Sequence, residues 1–404
     1  MKQLVVWMYG LPIGILSRQR GSLVFTYTSE ALQLGVGRPL LSVSMPAARG
    51  AYRGEVPHAF FDGLLPEGEA RRMIAYDFGV DDRDTFALLV ALGRDCAGAL
   101  TLLPDGETPS DDRTPEPISD EEVADRIRAL RFHPLGVDQR VRVSLAGIQE
   151  KLLLARAGEA WALPVDGAPS TYILKPAHQL LSKSIENEAL CMRTAAHLGI
   201  EVADVTIEAF GDRSALVITR YDRASANDGS RRVIRVHQED FCQAHGLDSG
   251  RKYQKRGGPS ARECADLVKG WSRTEELERL LDLITLNVLV GNADAHAKNL
   301  SLLHGADGEV RLAPAYDVMS TVHYAEADLV AGMFVNGVRG IDEIAGSDLV
   351  DEAASWGMHR GTASDRVDHI LSSAEGAILR AAEELGSPED LVDDLRKRAD
   401  SLRA

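Results

Sequence analysis

Apolar positions cluster in short, strand-like runs at the start of the chain: QLVVWMY (3–9) and SLVFTYT (22–28) are rich in β-branched and aromatic residues. Such runs predict antiparallel strands, here separated by LPIG and a basic RQRG turn region. The spacing then lengthens. In HAFFDGLLPEGEARRMIAYDFGV (58–80), Pro66 and Glu67 open an amphipathic helix, and RDTFALLVALG predicts a further one. These elements make a small α+β domain ending near Leu103. The next stretch, PDGETPSDDRTPEPISDEE (104–122), is dense in proline and acid, and is expected to be a linker or exposed loop leading into a helix at 120–131.

The strand pattern returns in RVRVSLAGIQEKLLLARAGEAWALP (140–164), where a glycine-containing turn between two strand-like runs predicts a hairpin. TYILKPA (171–177) is a strand. SIENEALCMRTAAHLGI (184–200) is a helix, with Ser184 placed to cap it and Gly199 to close it. VTIEAFG and SALVITRYDR are two more strands, and everything after about 236 reads mainly as helix. The run LLDLITLNVLVG (280–291) is apolar on nearly every side and predicts a buried helix, with Asn292 to Asn299 as the loop leaving it.

Composition narrows the class. A chain of 404 residues with 45% apolar residues can build a large core, and its length suggests two to three domains. The 280–291 run is too short to cross a bilayer and contains Asp282, and MKQLVVWMYGLPIGIL lacks a signal-peptide cleavage pattern. No membrane association is therefore expected. The four cysteines (Cys96, Cys191, Cys242, Cys264) are scattered without a C-x-x-C, so neither a disulfide framework nor a zinc site is indicated and a cytoplasmic setting is expected. A net charge of −16 argues against nucleic-acid binding by the whole surface and favours a protein ligand, while leaving room for a local basic pocket for phosphate.

The candidate chemistry is concentrated in NADAHAKN (292–299) and in LAPAYDVMS beyond it. A buried helix that delivers Asp294 and Asn299 five residues apart, followed by two short strands leading to Asp317, has the order that phosphoryl transfer needs. One Asp accepts the hydroxyl proton, and the Asn and the second Asp hold Mg²⁺ against ATP oxygens. The histidine, His296, follows the Asp here, whereas the kinase catalytic loop places it before. Lys175 in YILK, with Glu188 in the next helix, matches a strand lysine that orients phosphates and a helix glutamate that holds it. Taken singly, these residues have ordinary alternatives as turn, cap or surface groups. SLAGIQEK (144–151) is a candidate phosphate-covering loop, in which Ala146 and Gly147 let backbone N–H groups approach phosphate. It is neither G-x-G-x-x-G nor a Walker sequence, and an ordinary hairpin turn fits the pattern as well. RKYQKRGGPS (251–260) gathers four basic residues that could meet phosphate or an acidic substrate, or form a solvated loop.

SLAGIQEK, YILKPA, IENEALC, ITRYDR, VHQEDFCQAHG, KYQKRGGPS, GNADAHAKNLSLL and LAPAYDVMST together resemble the successive motifs of the HipA family of bacterial serine/threonine kinases, and FFDGLLPEGEARR is similar to the end of its small N-terminal domain. The resemblance spans roughly residues 1–335, in family order. It implies an α+β, two-lobed, protein-kinase-like fold: an N-terminal α+β subdomain (1–103), the acidic linker (104–122), the rest of the N-lobe (123–235) and a mainly helical C-lobe (236–404).

It also implies roles. Asp294 would be the catalytic Asp, with His296 in the same loop. Asn299 and Asp317 would bind Mg²⁺, and Lys175, supported by Glu188, would contact ATP phosphates beside the loop residues Ala146, Gly147, Ile148 and Gln149. Thr219, Arg220 and Tyr221 would form the adenine hinge, with Asp222 near the ribose and Gln238 lining the pocket. Ser144 falls on the family's autophosphorylated serine, whose modification is associated with ejection of the phosphate loop; a dianion there would repel ATP phosphates. The implied partners are a HipB-like helix-turn-helix antitoxin, operator DNA met mainly through that antitoxin, and a protein substrate, an aminoacyl-tRNA synthetase being among the family's targets. Two rival readings are a small-molecule or lipid kinase of the same fold and a non-catalytic antitoxin-binding corepressor subunit.

Overall fold

In a computed structural model of the chain, residues 3–110, 113–226, 232–305 and 308–403 are described. They form two compact units. The first comprises Met1–Pro176, Glu208–Ser249 and Leu303–Gly308, and the second Ala177–Ile207, Gly250–Leu302 and Glu309–Ala404.

The first unit opens with a five-stranded antiparallel sheet in the order β4-β3-β2-β1-β5, built from β1 (Gln3–Met8), β2 (Leu11–Gln19), β3 (Ser22–Tyr27), β4 (Ala51–Arg53) and β5 (Leu100–Pro104). The strand β2 occupies the stretch expected to hold only turns, and β1 and β3 pair with it rather than with each other. The true turns are two dipeptides, Tyr9-Gly10 and Arg20-Gly21, each with positive φ at both residues. That is the demand of the two-residue turn that matches strand twist. Helices Glu55–Asp62, Gly68–Asp77 and Thr85–Leu92 follow, with Glu67 at the start of the second as expected.

A second sheet has the order β10-β11-β9-β7-β8-β6: β6 (Glu116–Pro117), β7 (Leu152–Ala157), β8 (Ala160–Leu163), β9 (Tyr172–Pro176), β10 (Val205–Phe210, from Glu208 in this unit) and β11 (Arg213–Thr219). The helix expected at 120–131 spans Asp120–Ala129, and Ser119 and Glu122 close its first turn as a capping box. Residues 111 and 112 of the acidic stretch lie outside the described residues. The hairpin of 140–164 differs from expectation. Its turn is at Gly158-Glu159, between β7 and β8, and SLAGIQEK is a loop that precedes β7 rather than the hairpin's tip. The physical reason is that Val141 and Val143 bury themselves through isolated bridges to Val165 and Asp95 instead of extending a strand. One apolar core, including Leu4, Leu16, Phe25, Phe60, Leu89, Val143, Leu154 and Val217, runs through both sheets.

The second unit is mainly helical. The long helix Arg360–Leu385 packs on Ser184–His197, Glu275–Val290, Gly346–Ser355 and Glu389–Arg403. Glu275–Val290 is the expected buried helix: Leu280, Leu281, Leu286, Val288, Leu289 and Val290 are enclosed. Its polar edge is spent on Arg366, which donates to Asp282 at 3.0 Å and to Glu278 at 2.8 Å. Ser184 does not cap the helix Ser184–His197, because Lys183, in a left-handed conformation, stands at the N-cap and the Ser184 hydroxyl accepts from His178 N–H at 2.8 Å. Gly199, with φ of +77°, does follow the helix end. No helix of the described residues is long and apolar enough to cross a membrane.

Candidate active site

In the second unit the loop that leaves Glu275–Val290 is shaped by its own asparagines. Asn292 N–H donates to Asn287 O at 2.8 Å, Asn292 Nδ2 donates to Asn287 Oδ1 at 2.8 Å, and Asn292 Oδ1 in turn accepts from Asp294 N–H at 3.1 Å. Ala293 is held from both sides, its N–H by Thr321 Oγ1 at 2.8 Å and its carbonyl by Gly332 N–H at 2.8 Å. A Cβ on Gly332, in the strand Val330–Val335, would stand 2.5 Å from Ala295 O and 2.8 Å from His296 N, so the close approach of this strand to the loop requires glycine. The backbone is thus fixed before any side chain acts.

The side chains of that loop converge. Asn299 Nδ2 donates to Asp294 O at 3.1 Å. The Asp294 side chain opens to solvent, and Tyr253 donates its hydroxyl to Oδ1 at 2.6 Å. Crowding of its surroundings, then the Asp317 charge, raise the Asp294 pKa above the ordinary carboxylate value, while the Tyr253 hydroxyl and the Lys252 and Lys255 ammonium groups pull it back. His296 is buried, and desolvation, followed by the Lys252 charge, pushes its pKa down to about 3, so its ring is neutral at neutral pH. It packs edge-on to Tyr253, with centroids 4.9 Å apart.

Asp317 acts electrostatically on both groups and sits at φ of +59°, a conformation uncommon outside glycine but tolerated by Asp. Asn187, on the helix that carries buried Glu188, brackets the chain just beyond it: Nδ2 donates to Ser320 O at 2.9 Å and Oδ1 accepts from Ser320 N–H at 2.8 Å. Asn299 and Asp317 offer hard oxygen donors, and the bond from Asn299 Nδ2 to Asp294 O fixes which end of the amide stays available. Two such donors fit a Mg²⁺ ion that completes its shell with phosphate and water oxygens.

The first unit holds the other expected residues. Lys175 lies on β9 and is buried, flanked by the pairing of Leu216 with Lys175. Ser144 is fully enclosed: its Oγ donates to Leu64 O at 2.7 Å and its N–H to Asp95 O at 2.9 Å. The loop after it turns at Gly147, whose carbonyl accepts from Glu67 N–H at 3.3 Å, while Lys151 Nζ donates to Ala146 O at 2.8 Å. Ile148 is exposed and Gln149 half-buried. Thr219 ends β11 opposite Tyr172, and the Tyr221 hydroxyl donates to Gln238 Oε1, which brings Tyr221 and Gln238 together.

Arg220 and Asp222 have a different setting. Asp222 is buried with its carboxylate engaged by Arg220 Nε at 2.9 Å, Arg220 Nη2 at 2.7 Å and Gly98 N–H at 2.7 Å. Burial works against the Arg220 charge, but Asp222 and Asp95 outweigh it and hold its pKa above the ordinary value. Arg223 is pushed down to about 10, by burial first and by Arg220 second, and stays cationic at neutral pH.

Tyr253, Asn187, Thr321 and Gly332 were not singled out from the sequence. Tyr253 lies inside the basic KYQKRGG motif, where the lysines and arginines draw attention and the tyrosine does not. Asn187 and Thr321 act through side-chain bonds to distant backbone and Gly332 through close approach, none of which a local pattern announces.

Comparison with known proteins adds an independent line. The model of the HipA N-terminal domain matches residues 4–103, and that of the HipA-like C-terminal domain matches residues 143–378. Y4mE of Sinorhizobium fredii, a candidate kinase by its name, is 36% identical over 388 residues, covering 94% of this chain and 91% of its own. The serine/threonine-protein kinase toxin HipA of Shewanella oneidensis is 34% identical over 291 residues, 69% of this chain and 66% of its own. A solved complex of Shewanella oneidensis HipA with HipB and its operator DNA contains a chain that superimposes with a TM-score of 0.85 at 29% identity, covering 99% of this chain and 95% of that one.

Proposed function

This chain belongs to the HipA family of serine/threonine protein kinases, and from that premise we propose that it transfers the γ-phosphoryl group of ATP to a serine hydroxyl of a protein, with Asp294 taking the hydroxyl proton. The observation that carries this reading is the convergence of Asp294, Asn299 and Asp317 in the second unit, with the Asp294 carboxylate exposed and oriented.

A raised pKa suits a carboxylate that must accept a proton during attack. As the acceptor oxygen bonds to the γ-phosphorus, its proton passes to Asp294, the bond from that phosphorus to the bridging oxygen breaks, and ADP leaves with the electron pair. Asn299 and Asp317 would hold Mg²⁺, which would supply neutralisation of the developing phosphate charge. Lys175 contacts the ATP phosphates. Ala146, Gly147, Ile148 and Gln149 cover the phosphates, while Thr219, Arg220 and Tyr221, with Gln238, hold the base. Asp222 serves the hinge by fixing Arg220. Neutral His296 contributes its ring as packing for Tyr253 and no proton at neutral pH.

Ser144 is the autophosphorylation site in this reading. Because its hydroxyl is enclosed against Leu64, residues 144–149 must leave that seat before the serine accepts phosphate. A HipB-like helix-turn-helix protein is the proposed antitoxin partner, and it carries this acidic chain to operator DNA; growth arrest follows from phosphorylation of a cellular protein, for which an aminoacyl-tRNA synthetase is a candidate. The setting is cytoplasmic. Intact mass before and after incubation with Mg²⁺-ATP, followed by peptide mapping, tests the autophosphorylation: one added phosphate on Ser144 is expected, and phosphate confined to other residues contradicts it.

A further inference from the structure

The carboxylate of a proton-accepting Asp rotates easily, because the terminal torsion of its side chain is broad and nearly two-fold. The backbone contacts of Asn292, Ala293 and Asn299 fix where Asp294 starts but not where its oxygens point. Among the described residues, one side chain hydrogen-bonds the carboxylate: Tyr253, on Oδ1 at 2.6 Å.

Tyr253 is itself firmly seated. Its carbonyl accepts from Arg256 N–H at 2.9 Å and Gly258 N–H at 3.0 Å, closing a tight turn. A Cβ on Gly258 would fall 2.3 Å from Arg251 O and 2.8 Å from Tyr253 O, so the turn depends on that glycine. The flanking residues tie this segment to the loop and to the neighbouring strand: Ala297 N–H donates to Lys252 O at 3.1 Å, and Phe334 N–H donates to Gln254 Oε1 at 2.7 Å. Lys255 pairs with Asp328. The ring meets His296 edge-on, and Lys252, Lys255 and Arg256 stand 5.5 to 5.8 Å from its centroid. Ring and backbone are therefore held without the hydroxyl.

We propose that Tyr253 is a positioning residue for phosphoryl transfer, whose hydroxyl anchors Oδ1 of Asp294 and leaves Oδ2 to receive the acceptor proton. The proposal rests on the kinase reading of Asp294. The KYQKRGG motif then has a use beyond its charge: it presents one neutral hydroxyl to the proton-accepting group, and its cations lie around the same ring.

Tyr253→Phe removes the hydroxyl and keeps the ring. Phosphate incorporation from Mg²⁺-ATP, followed by mass, is expected to slow by about 10- to 100-fold, with the dissociation constant for fluorescent mant-ATP within about twofold of the parent, because orientation is lost and nucleotide binding is not. The thermal midpoint should stay at the parental value. Parental rates in Tyr253→Phe overturn the proposal, as does a matched loss of rate, mant-ATP affinity and thermal midpoint, which would mark a merely structural tyrosine. Failure of the underlying reading looks different: a parent that binds mant-ATP but transfers no phosphate, or an Asp294→Ala variant that transfers at the parental rate, removes the kinase role of Asp294 and the role of Tyr253 with it.

Discussion

Arg223 donates through Nη2 to Oδ1 of Asp95 at 3.0 Å, joining two fully buried side chains 128 positions apart in sequence. Arg235 reaches the same oxygen at 3.1 Å, and Ser170 donates to Oδ2 through both its N–H at 2.9 Å and its hydroxyl at 2.6 Å. Together with the Arg220–Asp222 pair, this cluster fixes the segment Arg220–Arg223 after β11 to the Asp95–Gly98 loop of the first unit. Burial works against the Asp95 charge, yet the three guanidinium groups outweigh it and hold its pKa far below the usual carboxylate range.

Removing that charge strands buried cations. Asp95→Asn is expected to cost about 3–5 kcal/mol of stability, the scale seen when one partner of a buried pair is lost. Urea unfolding of parent and variant measures it, and a loss of only a few tenths would refute the role given to the cluster.

The acid sensitivity of the fold should begin well above the carboxylate range because of His237. This ring is buried; Nε2 faces the Leu41 carbonyl at 2.8 Å and so must carry the proton, while Nδ1 has no hydrogen-bond partner among the described residues. Burial, then the neighbouring His304, pushes its pKa down to about 3. Because the folded value lies below the ordinary histidine value of 6.5, its contribution is fully present above pH 6.5 and is lost as the pH falls from there toward 3, with a slope of at most about 1.4 kcal/mol per pH unit. Thermal midpoints recorded across that window should fall in the parent and fall less in His237→Gln.

Asn187→Ala is expected to loosen the chain beyond Asp317. It strips two hydrogen bonds from Ser320 and leaves buried backbone groups unpaired, at about 1–3 kcal/mol each. A Mg²⁺ titration of phosphate transfer should shift to higher metal concentration, and an unchanged titration would separate Asn187 from the placing of Asp317.

Gly332→Ala tests the scaffold behind the loop. The new methyl would meet the backbone of Ala295 and His296, atoms that cannot swing aside. Phosphate transfer is expected to fall by about 100-fold, as displacement of a reacting group by an ångström does, with mant-ATP binding retained. Full activity would show that the loop tolerates the shift.

Much of this was legible in the sequence because periodicity and order carry through to the fold. The strand with Lys175, the helix with Glu188 and the polar loop after the buried helix stand where the pattern puts them, and that helix begins at Glu275, ahead of the apolar run 280–291. The misreadings share a cause. LPIGILSRQ looks like turn because of Pro12 and Gly14, yet Tyr9-Gly10 and Arg20-Gly21 supply the turns and the stretch between them pairs on both sides. Val141 and Val143 alternate like a strand but serve the core through single bridges. The partners of the Asp222 carboxylate, Arg220 and Gly98, become visible only through the three-dimensional return of the chain at Gly98. Tyr253 and Gly332 matter through what they approach, which the linear chain does not record.

The most direct test of the central claim is the rate of phosphate transfer from Mg²⁺-ATP by parent and Asp294→Ala, measured at nucleotide concentrations that saturate both by mant-ATP competition. The expected result is transfer by the parent and a loss of about 100-fold or more in the variant, with nucleotide binding and thermal midpoint preserved. Transfer at the same rate by both proteins would contradict the assignment of Asp294 and the mechanism built on it.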